Sequence, residues 1–83
     1  MDWKKRYAMV KTSSELEKGI RYSLKEGTIH TQPNYIMEVL EKTNDGFLFH
    51  FTEINGEFSC NEEYSHSIIN EKLKDGGWEI KRL

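Results

Sequence analysis

The chain has 83 residues, a formal net charge of −2, and 36% hydrophobic and 31% charged residues. That length predicts one domain over residues 1–83 with a single modest core, and the composition excludes both a disordered chain and a membrane helix, since no apolar run approaches the roughly 18 residues needed to span a bilayer. Cys60 is the sole cysteine, which excludes an internal disulfide and a cysteine-built zinc site. The basic start is not followed by the apolar stretch of a signal peptide, so the expected location is cytoplasmic.

The charge is unevenly spread. Met1 to Gly27 carries seven Lys/Arg against four acids, Thr28 to Glu71 one against eight, and the last twelve residues four against two. A fold that brings both ends to one side would therefore carry a dipole. Lys, Asn, Ile and Glu are plentiful and Arg is scarce beside Lys, the usage of AT-rich coding in low-GC bacteria and their phages.

Residues 4–12, KKRYAMVKT, alternate and predict a first strand; a short helix is the rival, because Trp3, Tyr7 and Val10 also fall at i, i+4, i+7. Ser14 followed by Glu17 has the form of a capping box, and Leu16, Ile20 and Leu24 recur on one stripe, predicting a helix over 15–26 that ends at Gly27. Pro33 makes 28–33 a loop. Residues 34–43 predict a strand, with Tyr35, Met37 and Val39 alternating in step with Phe47, Phe49 and Phe51. The alternative, a helix with Pro33 in its first turn, would give a winged helix. Asn44-Asp45-Gly46 and Asn55-Gly56 are hairpin turns expected to supply positive φ angles. Asn61 is placed to cap a second helix with Tyr64, Ile68, Ile69 and Leu73 as its buried stripe and Gly76-Gly77 as its stop. Trp78 and Ile80 alternate in a closing strand. The expected fold is α+β, with two helices packed on one face of a three- to five-stranded antiparallel sheet in the order βαββ(β)αβ, and a ferredoxin-like crossover as one way to connect it.

No motif carries enzyme chemistry. His30, His50, His66 and Cys60 match no metal-ligand spacing and bring no third orienting group. Glu62 with Glu63, or Glu38 with Glu53 across the hairpin, read as solvated carboxylates. Gly76-Gly77 ends a helix and does not open one, so it is no phosphate loop. No catalytic residue, metal ligand or cofactor is expected.

Two surfaces remain. The hairpin is apolar on both faces: beyond the core-facing set it presents Ile36, Leu40, Leu48 and Ile54 with His50 among them, which suits protein contact. The sequence therefore reads as a small non-enzymatic protein-binding regulator or inhibitor, of a size and coding bias that suit a phage protein, acting or self-associating through that face. The alternative is a nucleic-acid-binding module using the cations and rings of Trp3, Lys4, Lys5, Arg6, Tyr7 and Lys11 with the first helix. The acidic middle of the chain and the scarcity of Arg disfavour it.

Overall fold

Alternation of apolar and polar residues decides most of this structure. The computed structural model describes residues 9–27, 34–75 and 77–83. Among these it holds a 3₁₀ turn (Ser13–Glu15), strands β1 (Arg21–Glu26), β2 (Tyr35–Lys42), β3 (Gly46–Glu53) and β4 (Ser59–Ser65), helix α1 (His66–Lys74) and strand β5 (Trp78–Arg82). The strands form one antiparallel sheet in the order β4-β3-β2-β1-β5. β1 to β4 are a plain meander, and α1 carries the chain from one side of the sheet to the other, where β5 pairs with β1.

The expected first helix over 15–26 is replaced by the 3₁₀ turn and β1. Leu16, Ile20 and Leu24 sit four apart, and a spacing of four fits a helical stripe and a period of two alike. Tyr22, buried between Ile20 and Leu24, settles it for the strand. Gly19 takes φ +81 and its N–H donates to the Val39 carbonyl at 2.8 Å, so the chain turns there and joins β2. The first-turn carboxylate is also shifted: Glu15, not Glu17, accepts from the backbone N–H groups of Lys11 and Thr12.

The second helix starts later than expected. Residues 59–65 pair with β3 along their whole length, and Ser65, not Asn61, is the cap, its side chain accepting from the Ile68 N–H at 3.2 Å. Tyr64 therefore lies on a strand, and Ile68 is exposed while Ile69 is fully buried. With one α-helix among the described residues and a meander sheet, the two-helix, ferredoxin-like order is corrected. The strand over 34–43 and the closing strand at Trp78 stand as expected. Of the expected first strand, Met9 bridges to Lys81 and the Val10 N–H reaches the Ile80 carbonyl; residues 4–8 lie outside the described residues.

The turns differ in their reasons for glycine. Asn55 takes φ 63, as a tight hairpin requires. Asn44, Asp45 and Gly46 have no positive φ. Gly46 is needed because it faces Ser65 across β4, where an added Cβ would collide with the Tyr64 carbonyl oxygen.

One face of the sheet, here the inner face, carries Tyr22 and Leu24, Met37 and Val39, Phe47, Phe49 and Phe51, and Ile80 and Trp78, all buried. The layer over it is made by α1, through Ile69, and by the segment 10–20, through Val10 and Leu16. Four strand spacings of ~4.8 Å would put flat edges about 19 Å apart. Yet the rings of Tyr64 on β4 and Trp78 on β5 lie 5.1 Å apart, so the sheet curls and its edges lean together over the inner face.

Candidate functional site

Helix α1 has nine residues, a length of about 13 Å, and lies near the Phe47 end of β3, where His66 packs edge-on to Phe47 at 5.2 Å. It does not cover the other end of the inner face. There a cavity of about 140 Å³ opens, several times what one water needs. Its rings are Tyr35, Phe51, Phe58, Tyr64 and Trp78. Phe51 stands among three of them, edge-on to Tyr35 at 6.4 Å and to Tyr64 at 6.0 Å and tilted against Trp78 at 6.1 Å. Alternation puts each ring there: Tyr35, Phe51, Tyr64 and Trp78 all occupy inner-face positions of their strands. Phe58 precedes β4 and is 54% exposed.

Two carboxylates share this cavity, Glu26 at the end of β1 and Glu62 on β4. Each is held by a ring donor. Trp78 Nε1 donates to Glu26 Oε2 at 3.3 Å, and the Tyr64 hydroxyl donates to Glu62 Oε2 at 3.0 Å. Neither is ion-paired with a described residue. Burial, then the hydrogen bond to Glu62 and the charges of Glu62 and Glu26, push the Tyr64 phenol up to about 12. Lys72 of α1 places its Nζ 5.3 Å from the Trp78 ring centre and 6.0 Å from that of Tyr64.

The outer face carries the surface expected from the hairpin. Cross-strand partners there are Ile36 with Thr52, Glu38 with His50 and Glu41 with Leu48; Leu40 sits at the register shift between Val39 and Glu41. Ile36, Leu40, Leu48 and His50 are all partly exposed. Ile54 does not join them on a strand; it lies in the β3–β4 turn, 37% exposed. His50 Nδ1 is hydrogen-bonded to Asn61 Oδ1. Both α1 and the 10–20 segment pack on the opposite face, so no described element covers this patch.

The other candidates are placed as follows. Cys60 is on β4 opposite Phe51, in the cavity wall and well before the helix N-terminus. Glu38 and Glu53 are not partners: Glu38 faces His50, and Glu53 faces Tyr35. Glu62 and Glu63 are neighbours on a strand and so point to opposite faces. His66 Nδ1 is 2.7 Å from the Ser13 hydroxyl, a serine–histidine contact the sequence did not announce. Ser13 is only 2% exposed and its N–H is bound by Asn70 Oδ1 at 2.7 Å, so the contact ties the 3₁₀ turn to α1. His30, the cations Lys4, Lys5 and Arg6 and the rings Trp3 and Tyr7 lie outside the described residues; Lys11 is exposed. Residues 34–43 carry β2, not the helix that a winged arrangement requires. Among the described residues no three His, Cys, Asp or Glu side chains cluster to hold a metal, and no helix is long and apolar enough to cross a membrane.

The sequence does not announce the aromatic cavity: its rings come from four separate stretches of chain, and the residue pattern predicts helices at both Glu26 and Glu62. The chain matches no family model, and comparison with curated proteins and with solved structures gives no match.

Proposed function

We propose that this chain is a non-enzymatic contact module that works by binding a protein through the outer face of its sheet, with a second copy of the chain as the partner. The observation that carries the reading is the placement of Ile36, Leu40 and Leu48 on a face that no described element covers.

The outer face is divided by charge. On β1 and β5 the outer face presents Arg21, Lys25 and Lys81, with Glu79 paired to Lys25 at 3.1 Å. On β2 to β4 it presents Glu38, Glu41 and Glu63, with Glu41 paired to Lys18 at 3.0 Å. A twofold axis parallel to the strands sets β5 of one copy against β4 of the other and lays the central β2 on its own copy, so Glu38 and Glu41 meet like charges and the aliphatic centre, not charge, carries the pairing. The size of the face bounds the strength. Strands of at most about 25 Å across a flat width of about 19 Å give an upper bound of roughly 500 Å² per copy, which the curl of the sheet reduces further, below the ~800 Å² of a standard stable complex. The dimer is therefore weak. Regulation or inhibition of a larger protein, for whose binding the weak dimer must part to free the same face, is the biological role this reading favours.

Sedimentation velocity over a concentration series up to about 0.5 mM, where a small interface populates its complex, tests it. The expected result is a monomer–dimer equilibrium abolished by Leu48→Glu, with the melting temperature of that variant close to that of the parent. A chain that stays monomeric throughout contradicts the reading.

A further inference from the structure

We propose that the inner-face cavity between Phe58, Phe51, Tyr64 and Trp78 is a binding site for an alkylated ammonium group. This goes beyond the contact reading, which concerns the other face of the sheet.

Three features converge. The walls are aromatic, and ring faces attract a cation whose methyl groups they also desolvate. Two carboxylates stand in the same cavity without a cationic partner among the described residues, each held by a ring hydrogen bond through Oε2. Phe58 sits at the rim and is more than half exposed, so it contributes little to the core, yet it completes the ring of aromatics. The chain's own Lys72 lies against Trp78 and Tyr64, showing that these rings accept an ammonium group. A metal ion fits less well, because among the described residues no three His, Cys, Asp or Glu side chains cluster to hold one.

An alkylated ammonium reaches such a cavity either as a free small molecule or as a modified lysine of a partner protein, and the test separates the two. In a Trp3→Phe chain, Trp78 is the only indole and reports on the cavity by its fluorescence. Choline chloride is expected to give a saturable change, and 3,3-dimethylbutan-1-ol, its neutral isostere, to bind at least about tenfold more weakly. Phe58→Ala is expected to weaken choline binding several-fold with an unchanged melting temperature, and Glu26→Gln with Glu62→Gln to weaken it by about tenfold or more. Choline also slows alkylation of Cys60 in the cavity wall. A short trimethyllysine peptide that binds about tenfold tighter than choline assigns the site to a partner's side chain, and equal binding assigns it to a free small molecule. Leu48→Glu leaves all of this unchanged, so the site and the outer-face contact fail separately. Equal binding of the neutral alcohol, no saturation by about 0.1 M choline, or a Phe58→Ala chain that binds as well as its parent overturns the proposal.

Discussion

Gly46→Ala probes the join between β3 and β4 on which the inner face depends. Gly46 is opposite Ser65, and a Cβ built there lies 2.7 Å from the Ser65 Cα and 2.8 Å from the Tyr64 carbonyl carbon, besides striking the carbonyl oxygen. Carbon atoms settle at about 3.5–4.0 Å, so the two strands must part by roughly 1 Å at this end. Both neighbours are backbone, and no rotamer change relieves the contact. Overpacking of this kind costs about 1–3 kcal/mol, while losing a glycine from the unfolded chain returns about 0.4–1 kcal/mol. A net loss of about 1–2 kcal/mol lowers the melting temperature of a chain this size by roughly 5–15 °C. Urea denaturation with thermal melts measures it, and near-ultraviolet circular dichroism follows Tyr64 and Trp78 in the same samples. A Gly46→Ala chain as stable as its parent would refute the β3–β4 register and, with it, the position of Tyr64 in the cavity.

Other perturbations separate the packing from the surfaces. Phe49→Ala removes a fully buried ring that packs against Phe47, Phe51 and Tyr64 and is expected to cost about 3–5 kcal/mol in urea melts. His66→Ala breaks the tie to Ser13 and should cost about 1 kcal/mol while leaving choline binding and sedimentation unchanged. The ultraviolet absorbance of the tyrosines should show one of the four titrating near 12. Because the folded phenol of Tyr64 lies above its unfolded value near 10, its contribution to stability is full below pH 10 and is lost between pH 10 and 12.

The hairpin from Tyr35 to Phe51 was legible because a local pattern encodes it: alternating residues joined by a turn of polar residues and glycine. The stretch from Leu16 to Leu24 was not, because its apolar residues stand four apart, and only tertiary pairing with β2, through Gly19 and Val39, selects the strand. β4 was hidden for a different reason. Asn61, Glu62 and Glu63 resemble the start of a helix, and charged residues on a side strand pair with β3 only because β3 needs a partner along its length. The apolar outer patch of Ile36, Leu40 and Leu48 followed from the alternation within one hairpin. The cavity did not, since Glu26, Tyr35, Phe58, Glu62 and Trp78 meet only when the sheet curls.

Methyl NMR through a dilution series puts the outer-face contact to its most direct test, because it reports which side chains another chain covers. Resonances of Ile36, Leu40 and Leu48 are expected to shift together with concentration, and those of Ile36 and Leu40 to stop doing so in Leu48→Glu, while Ile69 and Ile80 of the core stay fixed. Outer-face methyls that remain unmoved at every concentration would contradict the account.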